Sequence, residues 1–316
     1  MRDADLVRGY SLAFVATALW STTAILISLL TTRFEMPPLV LAFWRDVVVA
    51  CTLFAALFAF GREQLRLERK HVVFFVFYGL FFALFNTIWT VSVALNGAAV
   101  ATMLLYISPA LTALIEWRLG DGKLGTLKIV AIGLSIVGLV FASEVHDPSV
   151  WQLKPLGIVA GLGTGLAFTI YSLLGKASSA RGVKPWTATF YTFAIGSAFL
   201  LLVQSPDTLL WLSRPLGEGS AGWREAALGW TIIIALAIGP TLGGFGLYTV
   251  SLTVLPASTA NLVVTLEPAI TATLAYLLLG ERLTVPQLIG GAIILVGVFV
   301  LRLGERSVLA RELPSN

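Results

Sequence analysis

Charge is scarce in this sequence, and so are cysteine and histidine. Only 12% of the 316 residues are Asp, Glu, Lys or Arg, about half the share that soluble domains carry. So few charges exclude an ordinary water-soluble domain. Cys51 is the only cysteine, which rules out an intrachain disulfide and a cysteine-based metal centre. His71 and His146 lie far apart and make no metal-ligand pattern. The sequence has no Asn-x-Ser/Thr acceptor, no Gly-x-Ser-x-Gly, no His-Glu-x-x-His and no paired acids, so nothing points to an intramembrane enzyme. Gly161-Leu162-Gly163-Thr164-Gly165 imitates a nucleotide loop but has no strand before it. Gly157, Gly161 and Gly165 recur every four residues, the mark of close helix packing. The reading therefore calls for no cofactor, no metal and no ATPase partner. A net charge of +4 is too small to imply a nucleic-acid partner.

What the chain has is long apolar runs: 57% of it is hydrophobic and its mean hydropathy is +0.89. A membrane helix needs about 20 mostly apolar residues. Ten segments qualify, near 9–32, 38–60, 71–94, 97–118, 126–143, 154–176, 185–204, 226–250, 256–279 and 284–303. Two uncharged stretches, 72–115 and 226–266, are too long for one span and divide at Asn96-Gly97 and Leu255-Pro256. The first segment has a signal-peptide-like start, with Arg2, Arg8 and Ala16-Thr17-Ala18. Its apolar run continues to Leu30, beyond a signal's short core, and reads as a retained membrane helix.

Residues 94–140 repeat as 253–299 at a constant offset of 159. Ile107-Ser108-Pro109-Ala110-Leu111-Thr112-Ala113 lies over Leu266-Glu267-Pro268-Ala269-Ile270-Thr271-Ala272, and the two chain breaks coincide under the same shift. At offset 148, Gly9, Trp20, Ser21 and Leu26 fall on Gly157, Phe168, Thr169 and Leu174. The expected fold is an all-α integral membrane protein of ten transmembrane helices, arranged as five-helix repeats over 1–150 and 151–316. An odd number of helices per repeat inverts the second one, as in secondary transporters. With the N-terminus inside, the cytoplasmic loops collect 15 Lys and Arg and the outer ones 5, Arg45 lying within a helix. That bias places both termini in the cytoplasm. The outer loop 205–225 carries Trp211 and Trp223, expected at the membrane interface.

Leu266-Glu267-Pro268-Ala269, Leu278-Leu279-Gly280-Glu281-Arg282-Leu283-Thr284 and Gln287-Leu288-Ile289-Gly290-Gly291-Ala292 resemble the second-half signature of the drug/metabolite transporter superfamily, in its EamA-type branch. Leu19-Trp20-Ser21 and Pro37-Pro38 leading to Arg45 are similar to the first-half pattern. The likeness covers essentially the whole chain. It departs at Gly120-Asp121-Gly122-Lys123-Leu124, where Gly-Glu-Arg-Leu is usual and a structural salt link would be lost. The resemblance implies a ten-helix inner-membrane bundle around a central cavity, exporting small metabolites by alternating access. Overall likeness narrows this to a YddG-type amino-acid exporter.

Glu267 is the candidate with most at stake, because a carboxylate in mid-span costs roughly 2.5–3.5 kcal/mol on insertion scales. It either meets a substrate ammonium or a coupling proton in a wet cavity, or hydrogen-bonds backbone near Pro268. Its counterpart, Ser108, is uncharged. Pro109 and Pro268 each free a carbonyl, and are expected as hinges or static bends, as are Gly239, Pro240, Gly243 and Gly244. Helical spacing puts Thr102, Tyr106, Pro109 and Ala113 on one face, matched by Asn261, Thr265, Pro268 and Ala272. Asn86 and Trp89, Trp20 and Ser21, and Phe168 with Tyr171 complete the expected substrate cavity. An aromatic cavity with few polar groups suits amino acids with apolar or aromatic side chains. Arg45-Asp46 reads as a structural pair, with a substrate-carboxylate role for Arg45 as the alternative. Cationic drugs and nucleotide sugars are the alternative cargoes, and a sensor or scaffold that moves nothing lies outside this class.

Overall fold

The computed structural model describes residues 3–118, 125–144, 147, 155–204, 220–252, 255, 260 and 263–312, with side chains described for all of these except 3–6, 220–221 and 302–312. Among the described residues the chain is helical, with no strands. In order the helices are α1 (Asp3–Thr32), α2 (Pro38–Phe60), α3 (Val72–Asn96), α4 (Ala98–Leu105), α5 (Ser108–Arg118), α6 (Thr126–Ala142), α7 (Pro155–Ala180), α8 (Pro185–Leu202), α9 (Ser220–Leu236), α10 (Gly244–Ser251), α11 (Glu267–Leu274) and α12 (Val285–Glu312). A π-helical turn, Ala237–Gly243, links α9 to α10, and another, Ala275–Leu279, extends α11. Among the described residues, seven helices or helix pairs are long and apolar enough to cross a membrane, and three shorter apolar ones accompany them: Thr126–Ala142, Glu267–Leu279 and Val285–Leu301. Phe54, Phe58, Val73, Phe77, Leu202 and Leu277 are exposed, an outer surface that suits lipid rather than water.

Each helix break has a local cause. Pro109 cannot donate to Leu105, and the fourth expected segment becomes two helices joined by a turn at Tyr106-Ile107. The turn recurs at Thr265-Leu266, before Pro268. The tight bond from Ile107 N to Leu104 O has its equivalent in Leu266 N to Val263 O, so the repeat in sequence is a repeat in backbone geometry. In the π turn, Pro240 removes the i, i+4 donor of Leu236, and the Thr241 hydroxyl donates to that carbonyl at 3.0 Å.

Equivalent residues also make equivalent contacts. Ser21 Oγ lies 3.3 Å from the Glu267 carbonyl, and Thr169 Oγ1 lies 3.2 Å from the Ser108 carbonyl. Gly9 packs under Leu255, and Gly157 packs under Asn96. Accordingly α1 packs against α10 and α11, whereas α7 packs against α3, α4 and α5. Gly157, Gly161 and Gly165 face Asn96, Leu104 and Ile107, the close packing that their spacing predicts.

Glu281 explains the signature around it. Its carboxylate accepts from the amides of Ala98 at 2.8 Å and Ala99 at 3.1 Å, capping the first turn of α4. Gly97 permits this, because its φ of 82° is left-handed and a Cβ there would meet the carboxylate at 2.9 Å. The carboxylate therefore serves a helix N-terminus; the departure at Gly120–Leu124 lies outside the described residues. Removing the cap with Glu281→Ala is expected to cost about 1 kcal/mol, read as a lower midpoint of thermal unfolding in detergent. An unchanged midpoint would contradict the capping role.

Candidate functional site

The helix breaks open onto a cavity of about 340 Å³, within the range of small-molecule sites. Among the described residues, ten of the nineteen that line it are aromatic: Trp20, Phe82, Phe85, Trp89, Tyr106, Phe168, Tyr171, Phe193, Phe245 and Tyr248. Phe82, Phe85, Phe168, Tyr171 and Phe193 touch in one cluster, with Phe82 and Phe193 centroids 4.4 Å apart and Phe85 stacked on Tyr171 at 5.6 Å, and Trp20 touches Phe245 and Tyr248 in a second. Two charged side chains reach the lining, Arg45 and Glu267.

Glu267 begins α11, one residue before Pro268. Its Oε2 accepts from the Tyr106 hydroxyl at 2.8 Å, and that hydroxyl also lies 2.9 Å from the Val264 carbonyl. Val264 is the carbonyl that Pro268 leaves without a helical donor. The phenol of the first repeat thus serves both the broken backbone and the carboxylate of the second, sharing one proton between two acceptors. Among the described residues, no side-chain bond joins Glu267 to backbone near Pro268.

The structure distributes the expected site residues in three ways. Trp20, Trp89, Tyr106, Phe168, Tyr171 and Glu267 line the cavity, and so do Pro109 and Pro240. Ser21, Asn86, Thr102, Thr265 and Pro268 do not. Ser21 turns back to Thr17 O at 2.8 Å, and Thr102 to Ala98 O at 2.9 Å. Asn86 is fully buried between Arg45 and Asp46. Thr265 is half-buried in the turn before α11. Asn261 lies outside the described residues. The expected face through Thr102, Tyr106, Pro109 and Ala113 assumes one continuous helix. The turn at Tyr106-Ile107 resets the phase, so Leu105, Tyr106, Ser108 and Pro109 line the cavity together. Gly239, Gly243 and Gly244 stand in or beside the π turn, and Gly244 lets the Trp20 indole approach the backbone of α10.

Sequence reasoning missed Thr23, Phe82, Phe85, Phe193, Thr241, Phe245 and Tyr248. Phe82, Phe85 and Trp89 form an i, i+3, i+7 stripe, one step around α3 from the face through Asn86, Trp89 and Val93. Because the Phe82 and Phe85 stripe carries no polar residue, periodicity alone does not mark it as facing inward.

Known proteins place the chain. The profile of the EamA-like transporter family matches residues 7–143 and 155–303. An uncharacterized transporter of Archaeoglobus fulgidus is 29% identical over 64% of this chain and 66% of its own length. One from Synechocystis is 26% identical over 71% of this chain and 64% of its own. These alignments span just under two thirds of both relatives. The threonine/homoserine exporter RhtA of Escherichia coli is 28% identical over 73% of this chain and 72% of its own. A solved crystal structure aligns over 99% of the chain and 100% of its own with a TM-score of 0.59 at 19% identity, a likeness of fold. With a family match over most of its length and relatives that are transporters rather than enzymes, the chain belongs to the EamA-like transporter family.

Proposed function

We propose that this protein is a secondary transporter that exports amino acids, with apolar or aromatic side chains favoured, through the aromatic cavity by alternating access. The observation that carries the reading is a largely aromatic cavity with a carboxylate at the point where one of its helices breaks. The ring wall takes the side chain of the cargo, and Glu267 takes its ammonium. The exporter RhtA supports the chemical class, since threonine and homoserine share the amino-acid head group.

In this reading the chain forms ten spans in two inverted five-helix repeats, 1–150 and 151–316, with both termini in the cytoplasm. The paired contacts of Ser21 with Glu267 and Thr169 with Ser108 support the inversion. Ion pairs support the sidedness: Lys176 meets Glu116 at 2.8 Å and Lys184 meets Glu63 at 3.9 Å, both pairs assigned inside, whereas Arg33 meets Glu225 at 3.7 Å, assigned outside. Since the first helix of each repeat packs into the other repeat, the rocking units are α1 with α10 and α11, and α7 with α3, α4 and α5. Pro109, Pro268 and the π turn at Pro240 supply the flexing points.

The test is counterflow in proteoliposomes containing the purified chain, using radiolabelled phenylalanine, tryptophan, leucine, threonine and homoserine with and without a pH gradient. Saturable exchange of an amino acid is the expected outcome. No exchange of any of them, together with exchange of an aromatic cation, would transfer the reading to drug export.

A further inference from the structure

The cavity has a second charged group, held in a buried ion pair that is not bidentate. Arg45 sits in α2 at 6% exposure, in the cavity wall, beside a fully buried Asp46. Arginine–carboxylate pairs are frequently bidentate, with two parallel hydrogen bonds. Here Arg45 Nε lies 3.8 Å from Asp46 Oδ1, too far for a hydrogen bond. The Asn86 amide stands between them: its Oδ1 accepts from Arg45 Nη2, and its Nδ2 donates to Asp46 Oδ1 at 2.5 Å. Only this amide orientation gives both neighbours a partner of the correct kind. Asp46 is thus turned onto Asn86, and Arg45 is steered by one bond from Nη2. Among the described residues, Arg45 Nε and Asp46 Oδ2 are buried without hydrogen-bond partners. A guanidinium is very costly to keep under-bonded away from water, and no other cation lines this cavity among the described residues.

We propose that Arg45 is the anion-binding residue of the cavity, taking the carboxylate of the cargo, and that Asn86 and Asp46 are positioning residues that aim it. This rests on the cavity being the transport site. With Arg45 and Glu267 both in the lining, the cavity offers one group of each sign, the pattern of a zwitterion. The cargo then needs its carboxylate as well as its ammonium, which separates amino acids from the amines and cationic drugs that the same aromatic wall would accept.

The experiment measures competition for counterflow by matched pairs: phenylalanine against phenylalaninamide, and threonine against threoninamide. The wild-type chain is expected to favour the acid by at least about tenfold, the effect of one charge-assisted hydrogen bond. The double variant Arg45→Gln/Asp46→Asn removes both charges together and leaves no unpaired ion. It is expected to handle acid and amide within about threefold of each other, with amide affinity retained. Should that variant not fold, Arg45→Lys keeps the charge and loses the fork; it should raise KM for the acid, leave KM for the amide unchanged and keep the maximal rate. Asn86→Ala should weaken selection of the acid without altering amide affinity. An undiminished preference for the acid in a folded double variant, or an unchanged KM for the acid in Arg45→Lys, overturns the proposal. A wild-type chain that exchanges acid and amide equally also overturns it while leaving transport intact, whereas a chain that exchanges neither removes the transport reading itself.

Discussion

Replacing Glu267 by glutamine will lower amino-acid counterflow by roughly 10- to 100-fold, the consequence of losing about 1.5–3 kcal/mol from a hydrogen bond to a charged group. The substitution keeps the shape of the side chain, and its Oε1 still accepts from the Tyr106 hydroxyl, which now reaches Glu267 at 2.8 Å. The folded state is therefore expected to survive, and thermal unfolding in detergent should move little. What disappears is the negative charge facing the ammonium. The geometry also accommodates a proton: if the carboxyl donates to the phenol, the phenol donates to the Val264 carbonyl 2.9 Å away, and every group keeps a partner. A proton-coupled carrier would then lose the pH dependence of its flux in Glu267→Gln, and a facilitative one would lose flux alone. Full, pH-independent flux in the variant would reduce Glu267 to a brace for the broken helix. No counterpart exists in the first repeat, where Ser108 stands in its place, so the charge is a one-sided feature of an otherwise paired architecture.

The backbone breaks were legible in the sequence because prolines act locally. Pro109 and Pro268 each remove a donor whatever surrounds them, and the offset of 159 locates both turns. The aromatic wall was half legible. Phe168 falls on Trp20 in the repeat and Trp89 shares a face of α3 with Asn86, whereas Phe82 and Phe85 lie on a stripe of that helix with no polar residue to mark it. Asn86 was expected in the cavity because a polar residue in an apolar helix signals a partner. The signal was sound, but its partners are Arg45 and Asp46 of α2 rather than cargo. The pair Arg45-Asp46 is an ion pair in the structure as well, with Nε 3.8 Å from Oδ1. Adjacent opposite charges read as a pair in one dimension, and only the third dimension inserts an amide between them. Glu281 illustrates a motif recognised without its target, since the amides it caps lie 183 and 182 residues earlier in the chain.

A single methyl at Gly290 will do far more damage than the same methyl at Gly291. The helices α6 and α12 pack along a seam of small residues: Ala131, Ser135, Gly138 and Ala142 are the buried positions of α6. Facing them, a Cβ on Gly290 would lie 2.2 Å from the Ala142 nitrogen and 2.6 Å from the Gly138 carbonyl oxygen. Both atoms are main chain, so neither can rotate aside. The reciprocal contacts are nearly as close, with a Cβ on Gly138 reaching the Gly290 oxygen at 2.8 Å and one on Gly297 reaching the Ala131 oxygen at 3.1 Å. In a membrane no hydrophobic force draws two apolar helices together, so backbone proximity and van der Waals contact provide their association. Gly290→Ala must therefore push α12 away along its length, at a cost of at least about 3 kcal/mol, the upper end of the overpacking range. It should appear as a large fall in the unfolding midpoint and in the yield of monodisperse protein in detergent. At Gly291 the added Cβ meets the Met103 sulfur and terminal methyl at 2.9 Å. A methionine end swings away readily, and Gly291→Ala should remain close to wild type. Equal stability of the two variants would mean that α6 and α12 do not pack main chain against main chain at Gly290.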